Sequence, residues 1–510
     1  MNSALVRISI MMFIQFFVWG TWFATVGQAL GGNGLGDAVG GAYGTAPLGA
    51  IFAPLFLGLI ADRFFASQNV MGVLFLIGGV LMWFAGLEAV AGQAIYEANV
   101  SPILDSIKNS MDSLAQTADA GKGAIEATLA TLETQKAAAM EPVNAHGSKA
   151  VWFFLGHMLC YMPTLGLGNT IAFSNLDRLA YPKTRVWGTI GWIAAGLVVG
   201  FIGWSSSMNI FRLAAISSII MGLYSFALPH TPPPAKGQKI NLSALLMVDA
   251  WKLLAKPGFL IFIICSTLIC VPLAYYFGST GQYLSNAGFT QAASTMTIGQ
   301  MSEIFFMLLI PFFFRRMGVK WMIIVGMIAW VLRYFLFAFG APDQVVWMLL
   351  LGVALHGICY DFFFVTGYMY TDRIAPKEVR SQAQSMLVFL TQGIGMYIGY
   401  GIAFGLSIFG WKIYDGKFGT VKPHYNNLDA AIKEGREEET LSFGQQLLEM
   451  FSINVPDTVK PEVVSSAMDQ WKDYWMFPAI IAAAITVIFF LTFWDKTKVG
   501  NEGDDEKTES

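Results

Sequence analysis

"DRLAYPKTR" (177–185) and "DRIAPKEVR" (372–380) share Asp-Arg, then Ala, then Pro-Lys, and both end on Arg. Each stretch leaves one long apolar segment and enters the next, the first after the fourth such segment and the second after the tenth. Asp-Arg and Pro-Lys are ordinary turn chemistry taken singly, but their recurrence six segments apart is the mark of an internal repeat. A fainter echo, "GLIADRF" (58–64) against "FFRRMGVK" (313–320), follows segments two and eight. The chain therefore reads as two six-helix halves related by a parallel repeat.

Working outward, apolar segments fall at 8–30, 41–61, 70–92, 150–174, 186–204, 209–228, 258–285, 291–314, 320–340, 345–371, 381–410 and 474–494. Each is roughly 20 to 30 residues, the length of a helical bilayer crossing. Composition agrees: of 510 residues 55% are hydrophobic and only 13% charged. An all-α integral membrane protein with twelve transmembrane helices is expected. The halves are 1–230 and 258–495, joined by a linker at 231–257 and followed by a polar tail, 496–510. A net charge of −3 leaves no basic excess for nucleic acid. Basic residues cluster in the even-to-odd connections, as in Arg178, Lys183 and Arg185, or Arg315, Arg316 and Lys320. By the positive-inside rule both termini are then cytoplasmic, in the inner membrane of a cell, and the first segment is a retained helix rather than a cleaved signal. Two long polar connections, 93–149 and 411–473, fall on the outer side. In the first, Leu104, Ile107, Met111 and Leu114, and then Ile125, Leu129 and Leu132, recur at helical spacing, which fits either a helical hairpin or a mobile loop.

Charges inside the apolar segments carry the functional signal, because an ionised group at mid-bilayer costs at least ~2.5–3.5 kcal/mol on insertion scales. Glu303 lies mid-segment in "IGQMSEIFFMLLIPFFF" (298–314), and Asp361 in "LHGICYDFFFVTGYMY" (355–370). Arg185 opens segment five, where it either snorkels to the headgroups or reaches inward. Helical spacing puts Arg185, Thr189 and Trp192 on one face, Gln300 and Glu303 on another, and His356 and Tyr360 on a third. Faces that mix rings with hydrogen-bonding groups suit a polar, planar small molecule. His157 and Arg333 read as structural, Glu88 as reaching water, and Trp19 and Trp22 as facing either the cavity or lipid. There is no phosphate-binding Gly-x-x-x-x-Gly-Lys loop, no Gly-x-Ser-x-Gly elbow and no His-Glu-x-x-His, and the four cysteines lack metal-ligand spacing. Neither an enzyme nor a cofactor is expected, and uphill transport would draw on an ion gradient. A carboxylate that alternates between dry and wet surroundings can take a proton on one side and release it on the other.

"FIQFFVWGTWFATVG" (13–27), "YMPTLGLGNTIAF" (161–173), "RVWGTIGW" (185–192), "LPHTP" (228–232), "SEIFFMLLIPFFFRRMGVK" (302–320), and "YDFFFVTG" (360–367) with "RSQAQSM" (380–386) closely resemble the bacterial nucleoside:proton symporter family of the major facilitator superfamily. The resemblance implies a monomeric transporter that moves nucleosides inward with protons. It carries the family's substrate residues onto Arg185, Thr189, Trp192, Gln300, Glu303 and Tyr360, and makes Glu303 and Asp361 the proton-coupling pair. His356 stands where the family has a tyrosine, and Pro272 and Tyr275 stand where better-known members have amides, which makes Tyr275 a candidate substrate residue. The two long insertions are absent from compact members. Other readings are a symporter for another metabolite such as a sugar, or a receptor that does not cycle. Two costly intramembrane acids weigh against the receptor.

Overall fold

The computed structural model describes residues 3–494 apart from 57–63, 117–118, 177–180, 234–242, 244–245, 377–378, 409–410, 415–427, 429–430, 433–434 and 436–441. Residues 177–180 and 377–378 of the two repeat stretches, 58–63 of the fainter echo, most of the linker and the tail thus lie outside the described residues.

The expected spans form as helices. Span one is broken into Ser3–Gly20 and Val26–Gly32. Spans two to six are Gly36–Phe56, Ser67–Ile95, the last part of Asp119–Asn175, Tyr181–Phe201 and Asn209–Ser225. Span seven is Pro257–Asn286, and spans eight and nine share Ala292–Gly340, divided at Gly318, whose φ of 67° only glycine adopts readily. Span ten runs from Val346 to Ile374 with a wide π-type turn at Asp361–Val365, and span eleven from Arg380 to Phe404 with another at Phe389–Gly395. Span eleven is shorter than its hydropathy predicts. It stops at Gly405, and a short antiparallel pair, Leu406–Ile408 with Trp411–Tyr414, follows. Span twelve, Pro461–Thr492, starts well before its apolar part.

The connection at 93–149 is a helical hairpin. Span three continues through a π-type turn at Tyr96–Val100 into Ser101–Gln116, and the return arm is continuous with span four in a helix of 57 residues. Roughly 30 residues of that helix precede the apolar part, enough to project about 45 Å. Leu104, Ile107 and Leu114 on one arm and Ile125, Leu129 and Leu132 on the other are partly or fully buried, whereas Met111 is exposed. At the hairpin base Glu88 does not stand free in water. Its Oε2 lies 2.6 Å from Nδ1 of His146.

Spans one and five cross closely because small residues face each other there. A Cβ on Gly191 would fall 2.1 Å from the Phe13 carbonyl oxygen, and one on Gly20 would fall 3.0 Å from the Ala195 side chain. Between the halves, the closest approaches lie toward the end that carries the insertions. Tyr43 stacks on Tyr400, 5.0 Å between centroids, and the Gly27 amide donates to its hydroxyl. Gly196 and Gly200 of span five receive Ala293, Ser294 and Thr297 of span eight. Across this end lies part of the second insertion. Its helix Phe443–Glu449 sets Phe443 edge-on to Phe201 of span five, while Thr290 donates to Glu449 at 2.8 Å and Thr295 to the Met450 carbonyl at 2.9 Å.

Because the atom that Gly191 meets is backbone, Gly191→Ala forces the two helices apart, at an overpacking cost of about 1–3 kcal/mol. Thermal unfolding in detergent should show a midpoint lowered by about 1–3 °C. Gly31→Ala, whose added carbon meets nothing nearer than 3.8 Å, should match the parent; equal midpoints for the two variants would contradict this packing.

Candidate functional site

Span five presents Arg185, Thr189 and Trp192 inward, and span eight presents Gln300 and Glu303 toward them from the other half. A narrow cavity between the halves is lined by Gly20, Ala24 and Trp192 on one side and by Phe277, Thr297 and Gln300 on the other. Thr189 and Gln300 are 8% and 7% exposed, while Arg185, Trp192, Glu303 and Tyr360 are half-buried. Arg185 on span five, Glu303 on span eight, and Tyr360 and Asp361 on span ten bring a cation, two acids and a phenol to the facing helices of the two halves. Among the described residues neither Arg185 nor Glu303 makes a side-chain hydrogen bond or an ion pair. That arrangement leaves both charges for something that enters.

The backing of the site comes from span one. Phe16 and Trp19 lie at i and i+3 on one helix face, and Phe23 follows in the turn after Gly20. The Arg185 guanidinium carbon sits 4.4 Å from the centroid of the Phe16 ring. Trp19 meets Trp192 edge-on at 5.3 Å and also touches Tyr161. Trp19 therefore faces the cavity side, and Trp22, fully buried against Phe154, faces span four rather than lipid. After Gly20 span one passes through an irregular turn over residues 21–25, where Thr21 turns its hydroxyl onto the Val18 carbonyl at 2.8 Å. Irregular backbone at membrane depth is tolerated where it borders a cavity, as here at Ala24.

Asp361 is completely buried, with both carboxylate oxygens unpartnered, and it opens the π-type turn of span ten. Such turns concentrate at functional sites because the extra residue re-aims side chains. His356 is 2% exposed and is sandwiched rather than presented. Its ring is parallel to Tyr276 at 5.2 Å and has Phe277 edge-on at 5.8 Å. It backs the site through those two rings and through Tyr360, 5.7 Å away.

Tyr275 departs from expectation. It is fully buried with its ring 5.2 Å from Tyr474 and 5.6 Å from Phe477, both on span twelve. The carbonyl of Pro272 likewise accepts from Tyr334 of span nine. A helix turns 100° per residue, so the face of span seven that meets the cavity belongs to Phe277, two residues on. Hydropathy could not separate them, since every residue around Tyr275 is apolar or aromatic. The i+3 ladder of rings on span one was the available sign of Phe16.

Two groups read as structural are both enclosed. His157 is 1% exposed and donates from Nδ1 to the Gly78 carbonyl at 2.8 Å, tying span four to span three. Arg333 is fully buried over the Tyr276 ring at 4.0 Å, with no hydrogen-bond partner for its guanidinium among the described residues. The four cysteines are free, and the described residues contain no cluster of three metal-binding side chains.

Comparison with known proteins agrees with this geometry. The family model for the nucleoside H+ symporters matches residues 1–96 and 131–418, passing over 97–130 in the projecting hairpin. YegT of Escherichia coli K12 is 32% identical over 499 residues, covering 96% of this chain and 93% of that protein. The nucleoside permease NupG of the same organism is 28% identical over 77% of this chain and 85% of its own. The crystal structure of NupG superposes with a TM-score of 0.67 at 23% identity, over 98% of this chain and all of that one, which fixes the fold as that of a major facilitator transporter. The chain belongs to the nucleoside H+ symporter family.

Proposed function

We propose that this transporter imports nucleosides together with protons, as a monomer in the bacterial inner membrane with both termini in the cytoplasm. The observation that carries the reading is that Arg185 and Glu303 come from opposite halves, neither with a hydrogen bond or ion pair among the described residues, on the helices that line a cavity with Trp192, Gln300 and Phe277. A nucleoside offers a planar base for the rings and polar edges for the amide, the hydroxyl of Thr189 and the two charges. Since the close contacts lie at the insertion end, and the positive-inside rule sets that end outside, the described state is closed to the exterior.

In the mechanism, Glu303 and Asp361 serve as the proton carriers. Both are acids within the spans, and a proton held by either one is released when the cavity opens to water. Arg185, held against the Phe16 ring and without an ion-pair partner among the described residues, is left to engage the substrate.

Labelled uridine, adenosine and glucose offered to proteoliposomes, with and without an inward proton gradient, test the proposal directly. Nucleosides should accumulate with the gradient and glucose should not. Accumulation of glucose alone would sink it, and a protein that moves none of the three would fit a receptor instead. One net charge carried inward per neutral nucleoside gains ~2.3 kcal/mol per 100 mV, roughly fifty-fold accumulation, so an imposed potassium-valinomycin potential should raise uptake even without a pH difference.

Glu303→Gln keeps shape and hydrogen-bonding capacity but cannot titrate. It is expected to abolish gradient-driven accumulation while sparing counterflow exchange of bound nucleoside, in which no net proton cycle occurs. Should the Gln variant still concentrate substrate while Asp361→Asn does not, the proton belongs to span ten alone.

A further inference from the structure

We propose that Phe16 is a positioning residue for Arg185: its ring holds the guanidinium by its face, at the level where substrate arrives, and leaves the in-plane N–H donors free. The inference deepens the proposed function, in that it rests on Arg185 as a substrate ligand.

Three observations converge on it. The guanidinium carbon lies 4.4 Å from the Phe16 centroid, while no carboxylate oxygen among the described residues lies within ion-pair reach of Arg185; Asp177 is outside those residues. Gly188, one turn beyond Arg185, keeps the space open. A Cβ there would fall 2.8 Å from an Arg185 nitrogen and 2.8 Å from the Phe16 ring, between the two groups that touch. Finally, the Phe13–Gly191 and Gly20–Ala195 approaches bracket Phe16 on span one and fix its height against span five.

Chemistry explains why a ring suits this place better than a carboxylate. A carboxylate engages the edge of a guanidinium and consumes its forked donors, whereas an aromatic ring engages its face. The repeat supplies the contrast within one chain. Arg380, which ends the second repeat stretch as Arg185 ends the first, is 3.7 Å from Asp372 of its own stretch and donates to the Ala375 carbonyl. There the arginine closes a turn. At Arg185 the same terminal residue lies on a ring, and among the described residues it has no hydrogen-bond or ion-pair partner.

The test uses the full-length protein in proteoliposomes, with Phe16→Leu, Phe16→Met and Phe16→Tyr and two readouts. Modification of Arg185 by phenylglyoxal, followed on its peptide by mass spectrometry, reports the freedom of the guanidinium without any substrate. Loss of the ring in the Leu and Met variants should speed it about 3- to 10-fold, and Tyr should restore the parent rate. Uridine uptake should show KM raised by a similar factor in the Leu and Met variants, with kcat within about two-fold, and no further rise when Phe16→Leu is added to Arg185→Lys. Equal modification rates in Leu, Met, Tyr and parent overturn the proposal, as does a Tyr variant as impaired as Leu. Modification that changes as expected with KM unmoved upholds the positioning by Phe16 and instead removes Arg185 from the substrate site.

Discussion

At the crossing of spans one and five, the Gly191 backbone lies nearer the Phe13 carbonyl than any side chain would allow. With no hydrophobic drive between helices inside lipid, such close backbone contact is what holds two spans in register. The register in turn decides which residues meet. Phe16 comes under Arg185, Trp19 comes edge-on to Trp192, and the irregular turn after Gly20 reaches the cavity. A slip of one helical position would turn Phe16 by 100° and leave the arginine without its ring.

On that frame the protein keeps several charges in a medium that penalises them, and it treats each one differently. Arg333 is sealed over Tyr276, and Asp361 is sealed with neither oxygen bonded, while Arg185 and Glu303 stand half-buried on the helices that line the cavity. A buried charge is stable only if something compensates it. For Arg333 the ring supplies part of that compensation. For the cavity pair, compensation comes with whatever occupies the cavity, and the site is therefore less satisfied empty than filled. A binding step and a proton step can be coupled through such a deficit, because each relieves the same one.

How much of this was legible follows from what each signal measures. Apolar length revealed the twelve spans, since bilayer thickness fixes it, and the charges at Arg185, Glu303 and Asp361 stood out because lipid penalises them. Helical spacing set Arg185 with Thr189 and Trp192 on one face of span five, and Gln300 with Glu303 on one face of span eight. It misjudged Tyr275, because a span that is apolar or aromatic all round gives no sign of which face meets span twelve and which meets the cavity. His356 kept its place on the helix but turned out to be enclosed by Tyr276 and Phe277, which depends on span seven and cannot be read from span ten. The end of span eleven was missed for a related reason: "GLSIFG" (405–410) continues the hydropathy of the helix, and only the positive φ of Gly405 ends it. The ladder of rings on span one was in plain view, but nothing local links Phe16 to a residue 169 positions away.

The two repeat stretches carry the argument one step further. Gene-level repetition would give both halves the same turn, with an aspartate to neutralise its closing arginine, and the second half keeps that arrangement at Asp372 and Arg380. A site arginine tied in the same way would have to surrender its carboxylate each time cargo arrived, and the lost ion pair would offset the binding gained. Holding Arg185 on a ring lowers that cost, since facial attraction to Phe16 and edge-on hydrogen bonding to cargo coexist. Among the described residues, then, Arg380 is tied to the aspartate of its own turn, while Arg185 lies on a ring and has no ion-pair partner.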